Sequence, residues 1–329
     1  MLVIGNVKID NPVILAPMSG VTDLPFRKLV KNFGVGLVVT EMIASRAMIA
    51  QSKKSLQKLQ IINDDDTSVQ IAGCEADVMQ EAAKMIEQMG AKIIDINFGC
   101  PAKKIVNNYS GSFLMRDEKL AAELIRATVK AVNIPVTLKM RMGWDHNNLN
   151  APKIAQIAEQ EGVKMITVHG RTRCQFYSGK SDWKFIKSVK EAVNIPVIAN
   201  GDIRTPKDAK LCLEISNADG VMVGRGCYGK PWLPRQIIDY LIHNKTTPTP
   251  NLAEQLNIII EHFYKILEYY GVEAGVKISR KHLSWYTAGL PNSAAFRAKI
   301  NTSTDVNDII KRINAFYEES YNASINCSF

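Results

Sequence analysis

A chain of 329 residues, 46% hydrophobic and 22% charged, is long enough to bury a large core and too apolar to be disordered. It shows no run of about 18 apolar residues and no basic segment leading into an apolar amino-terminal stretch, which argues against a membrane span or secretion signal and for a cytoplasmic protein. A formal charge of +9 suits a polyanionic partner, and six cysteines (74, 100, 174, 212, 227 and 327) without a CxxC pair predict neither a disulfide framework nor a structural metal.

In chain order, short β-rich runs fall at Val13–Ala16, Leu37–Thr40, Ser68–Ile71, Ile93–Asn97, Val136–Met140, Met165–His169, Val197–Asn200 and Gly220–Val223. Helical spacing lies between them: Val78, Ala82, Met85, Ile86 and Met89 share one face, and Leu120, Leu124, Ile125, Thr128 and Val132 share another. Ala131-Val132-Asn133-Ile134-Pro135-Val136 is echoed at Ala192-Val193-Asn194-Ile195-Pro196-Val197, each copy leaving a helix and entering a strand. Eight strands alternating with helices predict an α/β fold, a (β/α)8 TIM barrel over residues 1–240. Two prolines in a polar run mark a linker over 241–250. Beyond it, 251–329 reads as a small helical domain, with one apolar face at Leu256, Ile259, Ile260, Phe263, Ile266 and Leu267 and another at Val306, Ile309, Ile310, Ile313 and Phe316.

In this fold the chemistry sits at the carboxyl ends of the strands. Read together, those ends carry Pro17-Met18-Ser19, Gln70, Asn97 and Cys100, Lys139 and Arg141, His169 and Arg171, Asn200-Gly201-Asp202, and Gly224-Arg225-Gly226. Any one of these has a structural explanation, but polar groups at seven of the eight ends point to one large polar ligand. The glycine turns after strands seven and eight, with Arg225, suit a phosphate. Gly224-Arg225-Gly226-Cys227-Tyr228-Gly229 also spells GxGxxG, but it follows the last strand and no acid lies about 20 residues on, so a dinucleotide fold is rejected. Cys100 stands between a glycine and a proline just past a strand end. Proline disfavours the helical region for the residue before it, so the thiol is expected on an extended turn.

These segments are similar to one family. Ala16-Pro17-Met18-Ser19-Gly20-Val21-Thr22-Asp23, Val69-Gln70-Ile71-Ala72-Gly73, Asp95-Ile96-Asn97-Phe98-Gly99-Cys100-Pro101-Ala102-Lys103-Lys104, Thr137-Leu138-Lys139-Met140-Arg141, His169-Gly170-Arg171-Thr172-Arg173 and Ile198-Ala199-Asn200-Gly201-Asp202-Ile203 resemble the tRNA-dihydrouridine synthases, their bacterial DusB-like branch in particular. The resemblance implies reduction of tRNA uridine to 5,6-dihydrouridine by FMN, itself reduced by NADPH. It further implies that Pro17, Met18, Ser19, Gln70, Lys139, His169, Asn200, Gly201, Asp202, Gly224 and Arg225 hold FMN. By the same resemblance, hydride from flavin N5 would enter uracil C6 and Cys100 would give C5 its proton, an ordinary thiol being mostly protonated at neutral pH. Asn97, Arg141 and Tyr177 are the candidates for contacting uracil or its ribose.

The expected partner is tRNA, bound by a monomer. Phosphate contacts are assigned to Lys277, Arg280, Lys281, Arg297 and Lys299 in the helical domain and to Lys103, Lys104, Arg171 and Arg173 at the barrel mouth. Trp285 is read as core packing of the helical domain rather than as a base-stacking platform. Two rival readings stay open: an FMN barrel that reduces a free pyrimidine, and a tRNA-binding factor without chemistry.

Overall fold

In a computed structural model the chain is described over residues 1–59 and 67–326. The last three residues of the helical segment expected over 251–329, Cys327 among them, lie outside those residues. Eight barrel strands follow one another as β1 (Val13–Leu15), β2 (Leu37–Val39), β3 (Thr67–Ala72), β4 (Ile93–Phe98), β5 (Val136–Arg141), β6 (Met165–His169), β7 (Val197–Asn200) and β8 (Gly220–Val223). Each pairs in parallel with the next, and β8 returns to β1 to close the ring. Every strand overlaps the run predicted for it, differing by at most one residue at an end. The chain is therefore a TIM barrel followed by helices.

Side chains on a strand alternate between its two faces, and in a closed barrel one face is the lumen. Val13, Leu15, Ile94, Ile96, Leu138, Met140, Val197 and Ala199 point out and pack against the surrounding helices. Residues of the other parity, Ile14, Leu37, Ile93, Met165 and Ile198, fill the lower lumen. Burying an aliphatic side chain of this kind contributes about 1.5–3 kcal/mol. Beneath them sits an amino-terminal hairpin, Leu2–Ile4 against Val7–Ile9, whose Leu2, Ile4 and Ile9 complete that cluster. Its turn needs Gly5, which has φ +60° and lies so near Pro135 that a Cβ would come within 2.9 Å of the ring.

Among the helices, Glu118–Ala131 buries the predicted Leu124, Ile125 and Thr128. Helix Ala76–Gln88 differs from expectation: its buried face is Met79, Ala82, Ala83 and Ile86, and the chain leaves the helix before Met89, which is therefore exposed. The last barrel helix, Leu233–Ile242, is followed by a segment that is tied back to it, Thr247 Oγ1 donating to Asp239 and Gln236 Nε2 to the Thr247 carbonyl. Four further helices follow: Leu252–Tyr270, Val272–Tyr286, Ser293–Thr302 and Val306–Asn326. The first begins with a capping box between Asn251 and Glu254. Among the described residues no helix is long and apolar enough to cross a membrane.

The helical unit docks on the helix that follows β1, Leu24–Lys31. Phe26 packs against the rings of His262 and His282, with centroids 5.7 and 5.6 Å away. Burial keeps both histidines neutral, His262 held down to about 3. Tyr270 donates to Asp23 at 3.0 Å and Tyr269 to the Gln57 carbonyl at 2.6 Å. Two sequence expectations change here. Trp285 lies flat on Tyr228 of the barrel, centroids 4.0 Å apart, so it packs across the domain junction rather than within the helices. Lys281, expected at a phosphate, instead donates to the Gly20 carbonyl, near Asp23 and Glu41. Phe26→Ala should cost about 3–5 kcal/mol of unfolding free energy in urea denaturation, the usual range for an excised buried Phe; a cost below about 1 kcal/mol would contradict this docking.

Candidate active site

The parity that fills the lower lumen with aliphatic residues places polar ones above them. Asp95 and Thr137 form the middle layer, and Gln70, Asn97, Lys139, His169 and Asn200 reach the upper end of the lumen, all buried. There a cavity of about 550 Å³ opens. It is lined by Pro17, Met18, Ser19, Gln70, Asn97, Cys100, Lys139, Arg141, His169, Tyr177, Asn200, Gly201, Asp202, Gly224 and Arg225, so every residue singled out as catalytic, cofactor-binding or substrate-contacting lies on one surface.

Cys100 is held by both of its backbone groups. Its N–H donates to Asn97 Oδ1 at 2.9 Å, and its carbonyl accepts from the Ser112 hydroxyl at 2.8 Å and the Ser112 N–H at 3.1 Å. Gly111, with φ +62°, makes this approach possible: a Cβ there would meet the Cys100 carbonyl at 2.9 Å. Asn97 also accepts from the Gly99 N–H at 3.1 Å and donates to Gln70 Oε1 at 2.8 Å. The asparagine expected to touch substrate is thus already committed to shaping the cysteine turn.

Lys139 donates to Asn200 Oδ1 at 3.1 Å, and Asn200 in turn donates to the Met222 carbonyl at 2.8 Å, which joins β5, β7 and β8. Burial, with Arg141 nearby, lowers the Lys139 amine to about 8, while Asp95 opposes the shift. His169 is pushed well below its ordinary value by burial and by Lys139, Arg141, Arg171 and Arg225, so it is a neutral imidazole. The site is electropositive and suits an anionic ligand.

Two arginines at the rim are structural clamps. Arg141, 1% exposed, donates from Nε to the carbonyl of Gly99 and from Nη1 to those of Thr172 and Phe176, at 2.7–2.8 Å, tying the cysteine turn to the loop after β6. Arg171, also 1% exposed, donates to the carbonyls of Ser178 and Gly179 and to Asp202 Oδ2 at 2.6 Å. It is therefore closed to the phosphate contact expected of it. Arg173 lies over the rings of Trp144 and Phe176, at 4.6 and 5.0 Å. Although burial works against its charge, Asp202 is held below the ordinary carboxylate range by Arg171 and the Ser181 N–H.

Arg225 is the most exposed of the three arginines at residues 141, 171 and 225. Its side chain is 42% exposed, 3.7 Å from Asp202 and 4.5 Å above the Tyr177 ring. Tyr177 is itself 53% exposed and stands between Arg225 and Arg141, the latter at 5.7 Å. Sequence reasoning did not find Phe176, Tyr228, Met222 or Arg204, which also line the cavity. Met222 carried a signal, as the inward position of β8, whereas the loop residues carried none. Among the described residues no group of three or more His, Cys, Asp or Glu side chains is placed to hold a metal ion.

The chain is 62% identical to a protein of Rickettsia bellii named probable tRNA-dihydrouridine synthase, over 98% of this chain and 99% of that one. It is 45% identical to the tRNA-dihydrouridine synthase B of Pseudomonas putida, over 96% and 94%. Among solved structures it resembles a histamine dehydrogenase from a Rhizobium species, with TM-score 0.56 and 13% identity over 80% of this chain, and a 2-naphthoyl-CoA reductase, with TM-score 0.57 and 14% identity over 72%. The chain spans 50% and 51% of those longer proteins, and the likeness is one of fold. A family model described as dihydrouridine synthase matches residues 14–322. With relatives this similar over nearly their whole length, the chain belongs to the dihydrouridine synthase family.

Proposed function

We propose that this chain is a tRNA-dihydrouridine synthase that uses FMN, reduced by NADPH, to reduce the C5–C6 bond of uridines in tRNA. Family membership and the names of its relatives support the reaction. One observation carries the reading: a cysteine pinned through both backbone groups shares a single cavity with a buried, asparagine-held lysine.

The residues present fit FMN. A volume of about 550 Å³ is in the range of about 300–1,000 Å³ usual for such ligands. The donor set is graded, with Lys139 and the amides of Gln70 and Asn200 in the lumen and the partly exposed Arg225 beside Gly224 and Gly201 at the rim. That pattern suits a flat polar ring carrying a phosphate tail, with Pro17, Met18 and Ser19 along it. When bound, FMN supplies the hydride that goes to C6 of the uracil.

The chain's own residues do the remainder. Lys139 would hold the pyrimidine edge of the ring and offset negative charge there. Gln70 uses Oε1 on Asn97 and one Nε2 hydrogen on Asp95, which leaves its second Nε2 hydrogen for the ligand. Arg225, partly exposed and beside Gly224, would neutralise the FMN phosphate. Cys100 delivers its proton to C5, because charge displaced onto the C4 carbonyl leaves C5 the basic carbon. Asp202, His169, Arg141 and Tyr177 keep the rim in shape around the base.

The target uridine must leave its stack, at a cost of a few kcal/mol, and backbone contacts offset that cost. The exposed lysines Lys103, Lys104 and Lys299 are suited to phosphates. The proposal competes with reduction of a free pyrimidine: purified protein that reduces free uracil and leaves unmodified tRNA untouched would favour the rival.

Three outcomes are expected. Purified protein is yellow, and Cys100→Ala keeps its flavin spectrum and its bleaching by NADPH but loses nearly all dihydrouridine formation, read by mass spectrometry of tRNA; unimpaired product would remove the proton-donor role. Because the Lys139 amine loses its proton above about 8, FMN affinity should fall as pH rises through that value, and Lys139→Met should abolish the inflection; a wild-type titration flat from pH 6 to 10 would contradict this. Charge reversal of Lys104 and Lys299 should weaken tRNA binding and lower the salt slope by roughly one per lost contact, whereas Lys281→Glu should instead lower the melting temperature. An unchanged tRNA affinity in the first variant would exclude those two lysines as phosphate contacts.

A further inference from the structure

The opening residue of the cysteine segment, Asp95, is 3% exposed and points into the lumen below the cavity. Its Oδ1 accepts from the Thr137 hydroxyl at 2.6 Å and its Oδ2 from Gln70 Nε2 at 2.7 Å. Gln70 Oε1 accepts from Asn97 Nδ2 at 2.8 Å, and Asn97 Oδ1 accepts from the N–H groups of Gly99 and Cys100 at 3.1 and 2.9 Å. One unbroken chain of hydrogen bonds thus runs from the barrel interior to the backbone of the cysteine turn.

Elementary donor and acceptor chemistry gives this chain a direction. Backbone N–H groups can only donate, so Asn97 must turn its oxygen to the cysteine turn and its NH₂ to Gln70. Gln70 must then offer Asn97 its oxygen and present its own NH₂ to position 95. A side chain that accepts is therefore required at position 95; burial pushes the Asp95 carboxyl up, and Oδ2 accepts from Gln70 in either protonation state. We propose that Asp95 is a positioning residue, which anchors the acceptor end of this chain and thereby holds both the amide orientation of Gln70 and the backbone of Cys100. Without that acceptor the buried Gln70 NH₂ is left unpaired, so the orientation that suits Asn97 no longer satisfies Gln70 at both ends; a Gln70 that turns to find another partner presents like groups to Asn97 and loosens its hold on the turn. The relevance to proton delivery rests on the function proposed above; the geometry of the turn does not.

The test reads the turn itself, by amide hydrogen exchange of Gly99 and Cys100 in the intact protein. Asp95→Leu fills similar space without an acceptor and should speed exchange at both amides by roughly tenfold, the order expected when hydrogen bonds of ordinary net strength are lost. Asp95→Asn should stay protected, because its oxygen can still accept from Gln70 while Thr137 turns its hydroxyl to accept from the new NH₂. Thr137→Val should lower stability without speeding exchange at the turn, which separates positioning from general loosening of the barrel. If Asp95→Leu does not fold, Gln70→Leu cuts the same chain one link nearer the turn and should give the same acceleration. Unchanged exchange in the variant that cuts the chain, loss of protection in Asp95→Asn equal to that in the cut, or equal acceleration by Thr137→Val would each overturn the proposal. These outcomes do not depend on whether the protein reduces uridine, so a failure of the proposed function and a failure of this inference are separable.

Discussion

The constraint on which the structure depends is the two-residue repeat of a strand inside a closed barrel. On β5 it sends Leu138 and Met140 out to the helices and Thr137, Lys139 and Arg141 into the lumen. On β4 it sends Ile94, Ile96 and Phe98 out and Asp95 and Asn97 in. A one-residue slip would bury the charges among aliphatic helices and empty the site, so the same register that makes the core also makes the cavity. The hairpin and the aliphatic layer close the lower end, which leaves the upper end as the place where polar side chains accumulate.

Burying so many polar groups is tolerable only because they satisfy one another. Asp95, Thr137, Gln70 and Asn97 form one such set, and Lys139 with Asn200 forms another. Arg141 and Arg171 bind backbone carbonyls of the loops at the barrel mouth and add side-chain ties to the backbone hydrogen bonds there. The helical unit contributes in the same way: Lys281 and Tyr270 reach the loop after β1, next to Pro17, Met18 and Ser19 of the cavity wall. Its docking and the shape of the site are therefore connected through that loop.

Much of this was legible in the sequence, for reasons that are physical. Eight short apolar runs separated by helical spacing admit few other folds, and the polar residues at seven of the eight carboxyl ends mark the functional face. The roles of several of those residues were not legible. Asn97, Arg141 and Arg171 stand at strand ends, where a polar group looks the same in sequence whether it meets a ligand, a backbone carbonyl or both. Only the fold shows that Arg141 meets the carbonyl of Gly99, 42 residues away. Lys281 read as a phosphate contact because nothing in its own helix reveals that Gly20 lies opposite, 261 residues earlier. Asp95 received no role, since both of its partners lie more than 20 residues from it. The hairpin escaped notice because two strands of three residues are too short to show a period.

The central claim is that this barrel reduces uridine in tRNA through Cys100, and it is tested most directly by mapping dihydrouridine in the tRNA of cells lacking the protein. Dihydrouridine should disappear at one or more positions and be restored by the wild-type chain but not by Cys100→Ala. A dihydrouridine map unchanged by removal of the protein would contradict it.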